Sequence, residues 1–288
     1  MLQRCYNASE DKFPLPKRIR EVYGPFGFPE PSDGTRPYVS ANFVMSLDGR
    51  GSFRELEGRA GGKEVSRSPD DRWLMDFIRA HHDGQLIGAS TLRDEPGSDS
   101  KGWDFAINDQ ELAAYRRDVL GLPPQKIIIL TASGDVDLGF NVFTSSRVDA
   151  WILTGTAGEA NLRAQIQSHR PVGQPKIVVI SEGRNVDLAE GLRVLRRDHG
   201  IGTLVCEGGP TVYGALLDRQ LIDEDFRTIS FQVIGKSTQP GVERPTTYGN
   251  VGYFPESAPW FRLISLHYAL PYHAFFRLRY EGRRTFPD

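Results

Sequence analysis

The chain has 288 residues, of which 39% are hydrophobic and 25% are charged, and its formal net charge is −2 at pH 7. This composition is typical of a folded globular protein and excludes a fibrous or disordered chain. A net charge this close to zero also excludes an overall field that would collect nucleic acid or an anionic membrane. We therefore expect a small-molecule ligand held by a local site.

The cysteines and the distribution of apolar residues predict a cytoplasmic protein. Cys5 and Cys206 are too few for a disulfide framework, which favours a reducing compartment. Residues 1–20 mix charged residues with prolines and do not resemble a signal peptide. No run approaches the ~20 apolar residues that a membrane helix needs.

The N-terminal segment, residues 1–36, is predicted to be an irregular arm, because it is rich in proline, glycine and charge and shows no sustained period. The folded domain is predicted over residues 37–288. It opens with the apolar run 38–47, which predicts a strand, and Asp48 and Gly49 predict a turn directly after it.

The next elements are a predicted helix and a predicted buried strand. Ser68 and Pro69 are typical of a helix start, and apolar residues then recur with helical spacing to about His81. Residues 85–88 form a short apolar run, which predicts a strand. The polar residues 89–91 follow it directly.

Further helices are predicted at Asn108 and Thr156, because each of these capping residues precedes a glutamate by three positions. Another is predicted over residues 187–199, where leucines occupy one face and arginines the other. Short apolar runs that do not alternate predict strands buried on both faces, as in a parallel sheet. These runs are residues 126–130, 150–153, 176–180 and 203–206.

The last fifth of the chain shows a different pattern. After a predicted strand around residues 261–268, apolar residues alternate strictly from Tyr272 to Tyr280, which predicts antiparallel strands at a sheet edge. Together these elements predict an α/β fold in three layers. Its central sheet is mostly parallel and has antiparallel C-terminal strands.

The motif EGGPT at residues 207–211 follows a predicted strand and precedes a predicted helix over residues 211–219. Two glycines let the main chain approach a ligand, and the N–H groups that begin a helix bind phosphate. We therefore predict a nucleotide phosphate site, although the same residues also make a plain tight connection. Glu207 favours a site, because a carboxylate that ends a buried strand needs a partner.

A second turn, residues 88–94 (GASTLRD), also follows a strand. Ligands of open α/β sheets bind at the carboxyl ends of the strands, so both turns are expected at one edge. Neither turn is the three-glycine dinucleotide fingerprint or the lysine-containing phosphate loop. Asp48 is another candidate carboxylate, although Asp-Gly is also a common turn dipeptide. The histidines and cysteines lack metal-ligand spacing, so no metal site is predicted.

These motifs occur together, in this order, in one family. The chain resembles the pyrimidine reductase of riboflavin biosynthesis, the C-terminal half of the bifunctional deaminase-reductase, over about residues 36–279. The resemblance implies the fold of dihydrofolate reductase. The motifs that carry it are residues 41–49, 68–80, 88–93, 205–211 and 221–224.

The resemblance also implies chemistry and site residues. It implies that NADPH donates a hydride to the sugar C1 of 5-amino-6-(5-phosphoribosylamino)uracil, giving the ribitylamino product, and that the chain forms a homodimer. The implied catalytic residues are Asp48 and Glu207, and the implied substrate-binding residues are Asn42 and Arg79, with Arg79 on the substrate phosphate. The implied cofactor-binding residues are Val44, Gly88, Thr91, Asp94, Thr131, Ser133, Gly208, Gly209, Pro210 and Thr211.

Three departures from the family pattern lie on the substrate side. Asn42 stands where these reductases usually have lysine, and Val65 stands where they have an aromatic residue. Their Ala-Asp-Asp-Pro or Ala-Asp-Asn-Pro segment is shortened here to residues 94–96. The His-x-Glu and Pro-Cys-x-x-Cys motifs of the zinc deaminase half are absent from this sequence.

Two alternatives to this riboflavin-pathway reductase remain open. One is a reductase of another pyrimidine or pterin, such as dihydrofolate, which Asn42 favours, and the other is an NADPH-binding module without catalysis.

Overall fold

The computed structural model describes residues 2–29, 34–54, 61–94, 101–168 and 174–283. The chain divides into two compact units, each described below by itself. The hairpin unit comprises Met1–Glu30, Val39–Met75 and Tyr213–Asp288, and the parallel unit comprises Pro31–Tyr38 and Asp76–Val212.

Ten strands lie within the described ranges. They are β1 (Gln3–Asn7), β2 (Tyr38–Ser46), β3 (Gly84–Gly88), β4 (Lys126–Leu130), β5 (Asp149–Thr154), β6 (Lys176–Val179), β7 (Thr203–Cys206), β8 (Glu224–Ser230), β9 (Pro259–Ala269) and β10 (His273–Arg283).

The helices in the described ranges fill most of the connections between these strands. They are α1 (Lys17–Tyr23), α2 (Gly62–Ser66), α3 (Pro69–Ala80), α4 (Ala89–Asp94), α5 (Gln110–Ala114), α6 (Asn141–Thr144), α7 (Thr156–Ser168), α8 (Leu188–Arg197) and α9 (Gly209–Asp218). A π-helical turn, Tyr115–Val119, continues α5.

In the hairpin unit the strand order is β1-β9-β10-β8-β2. The strands β9 and β10 form a long antiparallel hairpin, β8 pairs antiparallel with β10, and β2 pairs parallel with β8. The strand β1 adds to β9 in antiparallel register.

In the parallel unit the strand order is β7-β3-β4-β5-β6, and every pairing is parallel. The central strand β4 has Ile127, Ile128 and Ile129 fully buried, although successive side chains point to opposite faces. Burial on both faces explains why the apolar runs do not alternate. The predicted α/β fold class, with parallel strands and antiparallel C-terminal strands, is confirmed.

The N-terminal arm differs from its prediction, because it contains β1 and α1. Ile19, Tyr23 and Phe26 from this segment are at most 1% exposed, and the Tyr23 ring stacks on His267 of β9 at 4.6 Å. Residues 1–36 are therefore not irregular throughout, since apolar side chains anchor the segment in the core of the hairpin unit.

Two predicted helix starts also differ in detail. The helix predicted at Asn108 begins one residue later, because the Asp109 side chain accepts the N–H of Leu112 and caps α5. The helix predicted at Thr156 does form, but its hydroxyl accepts the N–H of Gly183 and its partner Glu159 pairs with Arg163.

The buried face of β10 is not the face that the alternation of apolar residues predicts. Phe275 and Arg277 are 2% and 1% exposed, whereas the predicted apolar face is only partly buried. The Arg277 guanidinium pairs with Glu224 at 2.7 Å and stacks on Phe26 of the N-terminal arm at 4.5 Å. An ion pair and aromatic contacts therefore offset the cost of burying this charge.

Candidate active site

The turns after β3 and β7 contact each other in the parallel unit. The two strands are parallel neighbours, and the Glu207 N–H donates to the Leu86 carbonyl, so both strands end at the same level. A Cβ added to Gly208 would lie 2.5 Å from the Gly88 nitrogen and 2.6 Å from the Ile87 Cα. Only glycine fits at position 208 without displacing the main chain.

The helix α9 begins at this contact. Gly209 has a φ of +55°, a conformation that favours glycine, and a Cβ there would lie 2.8 Å from Thr91 Oγ1. Thr91 is 9% exposed, Pro210 is partly exposed and Thr211 is exposed. The helix therefore starts two residues before the predicted Thr211, and the Thr91 hydroxyl lies beside its first residue. Such a helix start binds phosphate.

Glu207 and Arg79 contact each other directly. The Arg79 Nε and Nη2 donate to Glu207 Oε2 at 3.0 and 2.5 Å, and both side chains are almost completely buried. The Gln85 Nε2 donates to the same oxygen at 2.6 Å. The sequence had suggested Glu207 and Arg79 as separate substrate contacts. Gln85 was missed, although a lone amide in an apolar strand was a usable signal.

Asp76, one turn before Arg79 in α3, extends this network. Its Oδ2 accepts the N–H groups of Asn108 and Asp109, and its Oδ1 lies 3.9 Å from the Arg79 Nη1. Burial raises the pKa of the Asp76 carboxyl above its usual value, and the nearby Arg79 charge opposes this only in part. The Arg79 guanidinium thus lies among two carboxyl groups and an amide.

Asp48 lies in the hairpin unit and organises a loop. Its Oδ1 accepts the Ser46 hydroxyl at 2.7 Å and the Ile234 N–H at 3.0 Å, and its Oδ2 accepts the Gly235 N–H at 2.8 Å. Partial burial raises the pKa of this carboxyl, but the hydrogen bonds outweigh it, so the net pKa lies below the ordinary value. Asp48 is therefore ionised at neutral pH.

Asn42 and Val44 lie on β2 in the same unit, opposite Phe226 and Thr228 of β8. Both are partly exposed. A Cβ added to Gly62 would lie 3.0 Å from the Val44 Cγ1, so the start of α2 packs closely on this residue.

The loop after β4 is held by its own hydrogen bonds. Thr131 Oγ1 accepts the Gly134 N–H at 3.1 Å, and Ser133 Oγ accepts the Asp135 N–H at 3.2 Å. Thr131 is buried and Ser133 is exposed. Asp94 ends α4, but its side chain lies outside the described residues, as do residues 95 and 96 of the shortened segment.

The described residues contain no group of three or more His, Cys, Asp or Glu side chains that could hold a metal ion. They also contain no helix with the length and apolar character needed to cross a membrane.

Residues 37–246, more than half of the chain, match the sequence profile of the RibD C-terminal domain. The chain belongs to the RibD C-terminal domain family. The resemblance stated from the motifs is thereby confirmed. The match begins at Pro37, where the folded domain was predicted to start.

Members of the RibD C-terminal domain family with known names share modest identity with the chain. A 2,5-diamino-6-ribosylamino-4(3H)-pyrimidinone 5′-phosphate reductase of Eremothecium gossypii is 25% identical over 234 residues, covering 77% of this chain and 85% of that protein. A reductase with the same name from Aquifex aeolicus is 28% identical over 221 residues, covering 76% and 85%.

Among solved structures, a pyrimidine reductase-like protein of Corynebacterium diphtheriae superposes with a TM-score of 0.65 at 18% identity. The superposition covers 91% of this chain and 97% of that one. This superposition supports the α/β fold described above.

Proposed function

We propose that this chain is an NADPH-dependent reductase of riboflavin biosynthesis, which reduces a ribosylamino-pyrimidine 5′-phosphate by hydride transfer to the sugar C1. The observation that carries the proposal is the contact between the turns after β3 and β7, where Gly208 meets the main chain of Gly88. Membership of the RibD C-terminal domain family and the names of the relatives support it.

The residues of the parallel unit fit a nicotinamide dinucleotide. When bound, the cofactor supplies the hydride. Gly209 and the start of α9 would hold its pyrophosphate, because Gly209 is partly exposed and Thr211 is exposed. Gly208 would support this site by letting the two turns pack together. The Thr91 hydroxyl and the turn at Thr131 would hold the rest of the dinucleotide.

The choice of NADPH over NADH depends on a basic group near the predicted 2′-phosphate position. The Arg93 Nη1 donates to the Asp135 carbonyl at 3.4 Å, which places this guanidinium against the turn that contains Ser133. An arginine that contacts the same turn as a hydroxyl is suited to a phosphate monoester. This contact supports NADPH.

Two carboxylates are the proposed catalytic groups, Asp48 in the hairpin unit and Glu207 in the parallel unit. Both are fixed by hydrogen bonds and can orient or exchange protons with a pyrimidine. Arg79 is 4% exposed and two of its N–H groups already donate to Glu207 Oε2, so little of its guanidinium surface is left for a substrate phosphate. We therefore propose that Arg79 positions Glu207, and that other groups bind the phosphate.

The decisive assay uses purified protein, NADPH and two substrates. These are the predicted aminouracil compound and the diaminopyrimidinone compound after which the relatives are named. NADPH oxidation that depends on either substrate supports the proposal. Turnover of dihydrofolate alone identifies a pterin reductase. Tight NADPH binding with no turnover of any of the three identifies a binding module.

Two further proposals concern assembly and compartment. We propose a homodimer, supported by exposed apolar side chains of the hairpin unit. Light scattering on the purified protein tests this. Cys5 is exposed and Cys206 is buried, and the absence of a disulfide between them in the described residues supports a reducing, cytoplasmic location. The exposed apolar residues are Leu47, Phe231, Val233, Leu270 and Tyr272.

A further inference from the structure

Gln85 is a buried amide in a strand that is otherwise apolar or glycine. All five residues of β3 are buried, and Gln85 itself is 0% exposed. Its Nε2 donates to Glu207 Oε2, whereas its Oε1 is buried with no hydrogen-bond partner in the structure. Burying an unpaired acceptor costs free energy that a leucine or methionine at this position would avoid.

The orientation of this amide is set by Glu207. A flipped amide would place Oε1 2.6 Å from Glu207 Oε2, so that two acceptors would face each other. The observed orientation instead makes a charge-assisted hydrogen bond, which is among the stronger kinds. The unpaired Oε1 is therefore the consequence of directing an N–H group at the carboxylate.

Three donors converge on a single oxygen of Glu207. An arginine fork often contacts both oxygens of a carboxylate, but here the Arg79 Nε and Nη2 both reach Oε2, and Gln85 reaches it as well. These hydrogen bonds hold the carboxylate from two elements, with Arg79 on α3 and Gln85 on β3.

We propose that Gln85 is a positioning residue for the reductase reaction. Its amide fixes Oε2 of Glu207 from the strand side while Arg79 fixes it from α3, and together they hold the carboxylate in the position from which it acts on the pyrimidine. The inference rests on the proposed function. It adds a residue that would not touch the substrate or the cofactor.

The test compares Gln85→Met, which keeps the length of the side chain but has no polar hydrogen, with Gln125→Met as a matched control. Gln125 is likewise buried with an unpartnered Oε1, but its Nε2 donates to the main-chain carbonyl of Arg79. In an active wild-type protein we expect Gln85→Met to lower kcat/KM for the pyrimidine about tenfold, as the loss of one hydrogen bond would. We expect KM for NADPH to stay within about twofold, and Gln125→Met to stay within about twofold in both constants.

Gln85→Glu provides a readout that a purely structural role would not change. A carboxyl group beside Glu207 disfavours two simultaneous negative charges, so the acid limb of the pH profile of kcat/KM should move to higher pH. Should Gln85→Met fail to fold, Gln85→Asn keeps a buried amide but shortens its reach by one methylene. It should show the same loss.

The outcomes separate this inference from the proposed function. Unchanged kcat/KM in folded Gln85→Met, or equal losses in Gln85→Met and Gln125→Met, overturns the role of Gln85 and leaves the reductase intact. An unshifted pH profile in Gln85→Glu also overturns it. A wild-type protein without turnover on either pyrimidine overturns both.

Discussion

The turns around Gly88 and Gly208 and the loop around Asp48 hold their shapes by opposite means. At the turns, main chain packs on main chain, and the essential feature is the absence of a Cβ at position 208. At the loop, the Asp48 carboxylate accepts hydrogen bonds from one hydroxyl and two main-chain N–H groups. The first region should therefore be sensitive to added volume, and the second to lost charge and to acid.

The largest expected effect is that of Gly208→Ala. A Cβ at 2.5 Å from the Gly88 nitrogen forces the two turns apart, so we expect the free energy of unfolding to fall by about 1–3 kcal/mol. We also expect NADPH affinity to fall at least about tenfold, because each 1.4 kcal/mol is a factor of ten. Urea unfolding and calorimetric titration measure the two quantities.

Gly252→Ala is the matched control for this change. A Cβ there would meet no atom within 4 Å, so stability should change by less than about 0.5 kcal/mol. If both alanines have the same effect, close packing of the turns is not what position 208 requires.

Asp48→Asn should have an intermediate effect, which tests the role of charge in the loop. An amide NH₂ would replace one acceptor oxygen and face a main-chain N–H, costing about 0.5–1.5 kcal/mol of stability at neutral pH because Asp48 is exposed. If Asp48 also exchanges a proton with the substrate, kcat should fall about tenfold or more while NADPH affinity stays nearly constant. Equal losses of both would show a structural role alone.

The same carboxylate should make the loop sensitive to acid. The folded pKa of Asp48 lies below its ordinary value of 3.8, so its contribution is complete above that value and is lost as pH falls through the folded pKa. The stability difference between the wild type and Asp48→Asn should therefore be largest at pH 7 and shrink below about pH 4. A difference that is independent of pH would contradict this account.

The smallest expected effect is that of Arg93→Ala, which tests how the parallel unit recognises the cofactor. Losing a solvent-exposed cation beside the turn at Ser133 should raise KM for NADPH about three- to tenfold and leave KM for NADH unchanged. Arg117→Ala removes an exposed arginine that is paired with Asp118 and should change neither constant. An equal rise for both cofactors would place the 2′-phosphate elsewhere.

Most strands and helices could be predicted because their signals are local. The apolar runs of β4 and β7 could be recognised as strands because each run is buried on both faces. Ser68 before Pro69 predicted the start of α3 correctly. The two glycines after Glu207 predicted that the main chain approaches a ligand, which stays a prediction, and in the structure Gly208 packs on the main chain of Gly88. The arm was the main error, because β1 forms only by pairing with β9, more than 250 residues further along the chain.

The sequence by itself determined most of the sheet strands, the glycine turns at the ends of β3 and β7 and the family, because each of these depends on neighbouring residues. Only the tertiary structure decided which charges meet. Arg79 and Gln85 reach Glu207 across 128 and 122 positions of sequence, and the arm decides that Arg277 lies on the buried face of β10. The alternation of side chains along a strand, with a period of two residues, shows which residues share a face. The elements packed against it, and the partners they supply for buried charge, decide which face is inside.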